Sequence, residues 1–308
     1  MSLLTRLDHG RAAIVLPPLA LLAMAAAWGS TFFVIKDLVV RLPAADLLAV
    51  RFSIAAVAML LLTNRRLRLD RATIGGGVLL GVLYGAGQLL QTVGLQTTSA
   101  SVSGFITGLY VVATPLLAAI VFKIRIGRLT WVAVALATVG LGVLSLRGFS
   151  IGGGELLTLI SAVVYGGHII VTDRFSTRER VLALTTVQMI TIALVCWVAA
   201  VPDGITWPQG QADWGQVVYL ALISGALAIL LQTWAQARVR ATRAAVIMSM
   251  EPVWAAIFAV GLGGELITGR MLVGGAAILG AMYLVELGPW LARRRNPARV
   301  EAPVREVR

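Results

Sequence analysis

Long apolar runs without charge are the feature that most constrains this chain. Six stretches lack Asp, Glu, Lys and Arg, namely 12–35, 72–122, 129–146, 156–172, 181–202 and 214–237. Three further runs, 47–64, 244–264 and 271–292, each hold one charge, which is Arg51, Glu251 or Glu286. A helix needs about 20 apolar residues to cross the hydrocarbon core of a bilayer. The runs therefore predict a chain that folds in lipid.

One of these runs is long enough for two crossings. Run 72–122 has 51 residues, and a helix rises by about 1.5 Å per residue. Its turn is expected at Thr97, Thr98 and Ser99. The chain is thus predicted to be an all-α integral membrane protein with ten transmembrane helices, which we number span 1 to span 10. No soluble catalytic domain fits into the short connections.

Composition excludes several other classes of protein. A net charge of +12 would suit nucleic-acid binding, but that requires the charge to gather on one exposed face. Here it is scattered between apolar runs, so no nucleic-acid partner is expected. Cys196 is the one cysteine, which rules out a disulfide within the chain and a thiolate metal site. We expect no metal and no cofactor.

Lys and Arg predict the orientation. If successive spans cross the membrane in alternate directions, 21 of the 26 basic residues fall on one side. In membrane proteins, short cytoplasmic loops carry the excess of Lys and Arg. Both termini are therefore expected to be cytoplasmic, in a multi-pass protein of the cell's inner membrane. We expect the first apolar stretch to be kept as span 1 and not removed as a signal peptide.

A weak internal repeat runs through the chain. At an offset of 137, residues 26–29 meet 163–166, Arg51 meets Gln188, and 114–115 meet 251–252, while 91–92 match 232–233 at an offset of 141. Each repeat holds five spans, and an odd number places the second repeat upside down relative to the first. We predict a first repeat over 12–146, a linker over 147–154, a second repeat over 155–292 and a basic cytoplasmic tail over 293–308.

Local motifs resemble a known family. Residues 28–33, with the sequence WGSTFF, together with Lys36 and the pair at 51–52, resemble the opening of the EamA-type transporters of the drug/metabolite transporter superfamily. Residues 241–245, 249–252 and 264–265 resemble the second repeat of that family, and the likeness covers about residues 20 to 290. The first repeat departs from the pattern, since 123–125 reads Lys-Ile-Arg where many relatives carry Gly-Glu.

The resemblance implies a function. Members are mostly efflux carriers with a cavity lined by spans 1, 3, 4, 6, 8 and 9, with spans 5 and 10 at the periphery. Their substrates include amino acids, metabolites and toxic cations. We therefore expect a secondary active exporter of small metabolites, amino acids or drug-like compounds that works by alternating access. An importer, a facilitative carrier and a channel stay open as alternatives.

Other activities have no support in the sequence. An enzyme would need a catalytic set such as paired acids or clustered histidines at one depth, and an ATPase pump would need GxxxxGK[ST]. Neither pattern occurs, so we expect no enzyme. The expected partners are a small-molecule substrate and the bilayer, with coupling to protons or by exchange left open. The protein is expected to be a monomer or a homodimer, in which glycines of span 10 could form the contact.

Aromatic and polar side chains inside the spans are the cavity candidates. The set comprises Trp28, Tyr84, Gln88, Tyr110, Tyr165, His168, Gln232 and Trp254. Gln91 and Thr107 would add hydrogen bonds to this wall. Such a wall suits an amphipathic or cationic organic ligand, although helix packing explains each member equally well. His168 would suit a proton relay or a hydrogen-bonded packing role.

The charged residues and prolines of the spans have two interpretations each. Glu251 is the coupling candidate, or else a structural cap on backbone freed by Pro252. Pro115 and Pro252 stand at equivalent points and are candidate hinges, or static bends. Arg51 and Lys36 are expected to reach water by snorkelling. The alternative is that they hold an anionic group or pair with an acid such as Asp46 or Glu155.

Overall fold

The computed structural model describes residues 11–63, 69–123, 126–147, 150–239, 244 and 247–295. The first ten residues and most of the predicted tail lie outside the described residues. The helices are α1 (Arg11–Leu38), α2 (Ala44–Thr63), α3 (Arg71–Leu95), α4 (Ala100–Gly108), α5 (Tyr110–Phe122), α6 (Arg128–Ser145), α7 (Gly153–Phe175), α8 (Val181–Ala200), α9 (Gly210–Tyr219), α10 (Ala228–Gln236), α11 (Glu251–Gly261) and α12 (Gly269–Arg295). A π-helical turn, Leu220–Leu227, joins α9 to α10.

These elements supply the ten crossings. Within the described ranges, seven segments are long and apolar enough to span a membrane, and three shorter apolar helices, Arg128–Leu144, Glu251–Gly261 and Gly269–Val285, complete the set. Span 4 consists of α4 and α5, and span 8 of α9, the π turn and α10. The chain is thus an all-α multi-pass membrane protein with ten transmembrane helices in two inverted five-helix repeats.

The double-length run turns where the sequence predicts. Helix α3 ends at Leu95 and α4 begins at Ala100. The Ser99 side chain caps α4 by accepting from the Val102 N–H at 3.4 Å, which satisfies one of the donors left free at a helix start. In the linker, short strands β1 (Leu146–Arg147) and β2 (Ser150–Ile151) pair antiparallel. The predicted repeat boundaries stay a prediction.

The breaks in spans 4 and 9 do not coincide with mid-helix proline bends. Span 4 is interrupted at Leu109, and Pro115 lies within α5. Pro252 is the second residue of α11, a position where the missing N–H has no helical partner to lose. Pro115 therefore lies inside a helix segment, whereas Pro252 lies at a helix start. Their hinge role stays a prediction.

Helices of opposite repeats form the main packing contacts. Helix α3 packs on α7 and α8, α2 on α8, α1 on α11, and α6 on α12. Glycines allow several of these close approaches. A Cβ at Gly94 would lie 2.7 Å from the Gly154 carbonyl oxygen, and one at Gly87 would lie 2.6 Å from the Tyr165 ring. The two halves therefore share one interior.

The glycines of span 10 are used within the chain. A Cβ at Gly274 would approach the Gly140 carbonyl oxygen of α6 to 2.9 Å, and one at Gly275 would meet the Phe105 ring at 2.7 Å. These two positions therefore pack inside the protomer and do not offer the dimer contact that the sequence suggested. Whether the protein is a monomer or a homodimer stays a prediction.

Candidate functional site

A narrow cavity of about 30 Å³ lies between the two repeats. Its lining comprises Trp28, Thr31, Phe32, Arg51, Tyr84, Gln88, Gln91, Thr107, Tyr110, Tyr165, His168, Ile169, Gln232, Met248 and Glu251. All of these except Ile169 are buried. They come from spans 1, 3, 4, 6, 8 and 9, as the resemblance implies, with Arg51 of span 2 as an addition. Spans 5 and 10 contribute none of the described lining.

The lining follows the internal repeat. Six pairs of lining residues are related by the offsets of 137 or 141, namely Trp28 with Tyr165, Thr31 with His168, Phe32 with Ile169, Gln91 with Gln232, Thr107 with Met248, and Tyr110 with Glu251. Equivalent helices of the two repeats thus face one another across the cavity. This arrangement is what an inverted-repeat transporter places at its substrate site.

Aromatic rings form one wall of the cavity around Tyr84. The centroid of the Tyr84 ring lies 6.2 Å from that of Trp28, 5.5 Å from that of Tyr165 and 5.2 Å from that of His168. Phe52 meets Tyr84 edge to face at 6.2 Å from behind. Tilted and edge-to-face pairs at these distances are favourable. The wall is therefore a rigid apolar surface.

A chain of amides and hydroxyls forms the polar side. The Gln88 amide donates to the Tyr165 hydroxyl at 2.6 Å, which donates to Gln91 Oε1 at 3.3 Å. The Gln91 amide in turn donates to the Thr107 hydroxyl at 2.8 Å. Gln232 Oε1 is buried without a hydrogen-bond partner among the described residues. This side of the cavity therefore offers fixed donors and one free acceptor.

Arg51 lies within the protein interior and does not reach water, so the expectation of snorkelling is wrong. Its side chain is 1% exposed. It donates from Nε to the Leu220 carbonyl at 3.2 Å, from Nη1 to Gln88 Oε1 at 3.1 Å and from Nη2 to Ser224 Oγ at 3.3 Å. The π turn provides Leu220 and Ser224, because its wider hydrogen-bond spacing leaves backbone carbonyls open to side chains.

Lys36 is the other cation that was expected to snorkel. Its ammonium donates to the carbonyl oxygens of Leu95 and Gln96 at 2.7 and 3.2 Å. These carbonyls end α3, where helical donors run out and a cation is favourable. Lys36 therefore ties span 1 to the end of span 3.

Glu251 faces the cavity from the first turn of α11. It is 5% exposed, and its Oε2 lies 3.2 Å from the Tyr110 hydroxyl, which lies at the same distance from the Met248 carbonyl. No other hydrogen bond or ion pair of Glu251 occurs in the described ranges. Pro252 has no N–H to offer the Met248 carbonyl four residues before it, and that carbonyl meets the Tyr110 hydroxyl. Whether Glu251 acts in coupling or as a structural cap stays a prediction.

His168 stands on the opposite repeat and is equally buried. Its Nε2 is 2.9 Å from the amide nitrogen of Gln188, the residue at the repeat position of Arg51. Across the described part of the chain, no group of three His, Cys, Asp or Glu side chains is arranged to hold a metal ion.

Seven of the eight predicted cavity residues lie around this one cavity, as does Glu251. Trp254 does not line it, which corrects that prediction. Its ring stacks on Phe258 at 6.0 Å, and its Cβ packs against Gly29. Thr31, Phe32, Ile169 and Met248 also line the cavity and were not predicted to do so. The repeat register could have found all four, since each pairs with another lining residue at an offset of 137 or 141.

Side chains also join the repeats at the predicted outer end. The Glu265 carboxylate accepts from the backbone N–H of Ala100 at 2.6 Å and of Ser101 at 3.2 Å, and it also contacts the Ser101 hydroxyl. A carboxylate is favourable at a helix start because the free N–H groups carry partial positive charge. Glu265 thus ties the connection between spans 9 and 10 to span 4.

A second set of contacts lies at the predicted cytoplasmic end. Arg180 pairs with Asp70 at 2.9 Å between exposed side chains, and the Ser176 hydroxyl donates to the Thr233 carbonyl at 2.9 Å. The first contact joins the two repeats, and the second joins spans 6 and 8. Side-chain contacts therefore hold the helices together on both sides of the cavity, toward the predicted outer end and toward the predicted cytoplasmic end.

Comparison with known proteins agrees with this architecture. Residues 16–146 and 152–287 each match the EamA-like transporter family. An uncharacterized transporter of Archaeoglobus fulgidus is 31% identical over 270 residues, 87% of this chain and 85% of that protein. The uncharacterized inner membrane transporter YedA of Escherichia coli K12 is 28% identical over 282 residues, 88% of this chain and 91% of YedA.

A solved crystal structure gives the same result for the fold. It superposes with a TM-score of 0.65 at 21% identity and covers 91% of this chain and 98% of its own. At that level of identity, the likeness concerns the arrangement of the helices alone.

Proposed function

The chain belongs to the EamA-like transporter family, and from that premise we propose that it is a secondary active exporter of small organic compounds that works by alternating access. The observation that carries the proposal is the cavity between the repeats, which is lined by equivalent residues of both. Two similar units that rock about a site near the bilayer midplane can open that site to either side in turn.

The size of the cavity favours a carrier over a channel. A volume of about 30 Å³ holds about two water molecules. A metabolite is many times larger, so its passage requires the helices to move apart. A channel would instead keep a path with several weak sites along it. The narrow cavity therefore supports a cycle in which substrate entry and helix movement are linked.

The lining supports an amphipathic substrate. The aromatic wall around Tyr84 can bury an apolar body, and the amides of Gln88 and Gln232 can orient a polar group. Amino acids, metabolites and drug-like organic compounds all meet this description. An importer or a facilitative carrier is the alternative, because gradients and coupling set the direction of transport. The family consists of transporters, and an enzymatic activity is not part of the proposal.

The location follows from the relatives and from charge. YedA is named as an inner membrane transporter, and the distribution of Lys and Arg favours cytoplasmic termini. We propose the same membrane and orientation for this chain. The Glu265 contact then belongs to the outer side and must break when the cavity opens outward.

Replacing Glu265 with alanine is expected to favour the outward-open state. The change removes charge-assisted hydrogen bonds to Ala100 and Ser101, and bonds to charged groups contribute about 1.5–3 kcal/mol each. A membrane-impermeant maleimide should label a cysteine at Thr31 from outside at least about tenfold faster, since 1.4 kcal/mol corresponds to that factor. Labelling is measured in right-side-out vesicles with Cys196→Ala as background.

The matched control is Glu179→Ala, which removes an exposed carboxylate from the predicted cytoplasmic connection between α7 and α8. Its labelling rate from outside should equal that of the parent. If Glu265→Ala leaves the rate unchanged, the Glu265 contact does not close the outer side. Faster labelling from both sides would indicate a loosened fold and not a shifted cycle.

A further inference from the structure

We propose that the cavity binds its substrate through a carboxylate, which Arg51 holds. The inference rests on the proposed function, since it names the substrate class of the same cavity. It concerns small organic carboxylates with an apolar or aromatic body, including those that carry an amino group as well.

Arg51 has no opposite charge beside it among the described residues. Its three described hydrogen bonds go to neutral acceptors on Leu220, Gln88 and Ser224. No carboxylate of the described residues lies within ion-pair distance of it, and Glu251 meets Tyr110 instead. A buried charge without an opposite partner is costly inside a membrane protein. An anionic substrate would supply that partner.

The Arg51 guanidinium has N–H groups that none of its described hydrogen bonds uses. It carries five N–H groups, and the described bonds use one at Nε, one at Nη1 and one at Nη2. One N–H therefore remains on each terminal nitrogen. Two parallel N–H groups of arginine match the two oxygens of a carboxylate, and such bidentate pairs are strong and directional.

Arg51 lies beside the free space of the cavity. Both Arg51 and its partner Gln88 line the cavity, and the ring of Tyr84 stands on the same wall. The repeat position opposite Arg51 is Gln188, a neutral side chain that contacts His168. Arg51 thus makes one side of the cavity positive. A carboxylate bound on that side would place the rest of the ligand against the aromatic rings.

A structural role for Arg51 is the competing explanation, because its bonds tie span 2 to the π turn of span 8. A second competitor is a small inorganic anion such as chloride. Both are separated from the proposal by comparing each carboxylate with its own neutral amide, which has nearly the same shape but no charge.

The test is a binding measurement on the purified full-length protein in detergent. The probes are 3-phenylpropionate, 4-methylpentanoate and pyruvate, each beside its amide, with sodium chloride as a further arm. The wild-type protein should gain thermal stability from at least one carboxylate and not from its amide or from chloride. Arg51→Gln should bind that carboxylate at least about tenfold more weakly, the effect of losing a charged hydrogen-bond partner.

Arg128→Gln is the matched control, since it removes the same charge from an exposed position and should bind as the wild type does. Arg51→Lys keeps the positive charge but lacks the parallel N–H groups of the guanidinium. It should therefore bind the carboxylate with intermediate affinity. If Arg51→Gln does not fold, the wild-type comparison of acid with amide decides alone. Equal effects of acid and amide, stabilisation by chloride alone, or full binding by Arg51→Gln would each overturn the inference.

The outcome is distinguishable from failure of the proposed function. Saturable flux of a neutral or cationic compound, with no preference for carboxylates, would reject the substrate class and keep the transporter. Binding of a carboxylate that depends on Arg51, without flux of that compound in liposomes, would keep the site and reject the carrier.

Discussion

The Glu251→Gln protein is expected to bind substrate and to lose accumulation driven by a pH gradient. The Glu251 carboxylate lies in the substrate cavity with Tyr110 as its described partner. An isolated carboxylate at such a depth is costly in its charged form, so uptake and release of a proton can accompany the opening of the cavity to either side. Glutamine keeps the shape and cannot exchange the proton.

The measurement is uptake into proteoliposomes with and without an imposed pH gradient. The wild type should concentrate substrate, whereas Glu251→Gln should only bring it to the same concentration on both sides, with exchange of substrate for substrate retained. Glu179→Gln, at an exposed carboxylate outside the cavity, is the control and should behave as the wild type does. Undiminished accumulation by a folded Glu251→Gln protein would remove Glu251 from coupling.

The Gly29→Ala protein is expected to lose about 3 kcal/mol of stability, at the upper end for an overpacked interior. A Cβ at Gly29 would lie 2.5 Å from the Trp254 Cβ and 2.8 Å from the backbone nitrogen of Ala255. Because part of the obstacle is backbone, α1 and α11 must separate to admit the methyl group. These helices belong to different repeats, so the change loosens the contact between the two halves.

The measurement is unfolding of the purified protein in SDS-titrated micelles. Gly75→Ala provides the control, because a Cβ there meets nothing within 4 Å and alanine favours a helix over glycine by up to about 1 kcal/mol. It should be as stable as the wild type or slightly more so. A Gly29→Ala protein of wild-type stability would contradict the close crossing of spans 1 and 9.

The crossings could be predicted from the sequence because lipid imposes a length. Each apolar run contains one crossing, except 72–122, which contains two, and the turn at Thr97–Ser99 falls between α3 and α4 as predicted. The break at Leu109 could not be predicted in the same way. Local propensity draws attention to Pro115, but the chain tolerates that proline inside α5 and interrupts span 4 upstream of it.

The depth and partners of single side chains were harder to predict. Arg51 lies near the start of its span, which suggests snorkelling. Its buried position depends on the Leu220 carbonyl and the Ser224 hydroxyl of the π turn Leu220–Leu227, which no pattern in the sequence reveals. Trp254, like Trp28, is an aromatic residue within an apolar span, yet it packs against Gly29 and does not line the cavity. The spans are apolar on all sides, so periodicity does not say which face turns inward.

The internal repeat predicts more of the cavity lining than the composition of each span does. Trp28 pairs with Tyr165 and Gln91 with Gln232, and all four line the cavity. Residues at equivalent positions meet there because the pseudo-two-fold axis passes through the site. Applying the register to Thr31 and His168 would have extended the predicted lining from the sequence alone.

The most direct test of the carrier proposal is uptake by the reconstituted protein of radiolabelled amino acids, carboxylate metabolites and organic cations. The proposal predicts that uptake of one class saturates with concentration, is accelerated by the same compound inside the liposomes, and responds to an imposed pH gradient. Flux that rises linearly without saturation would indicate a channel. No flux of any compound through folded protein would contradict the proposed transport function.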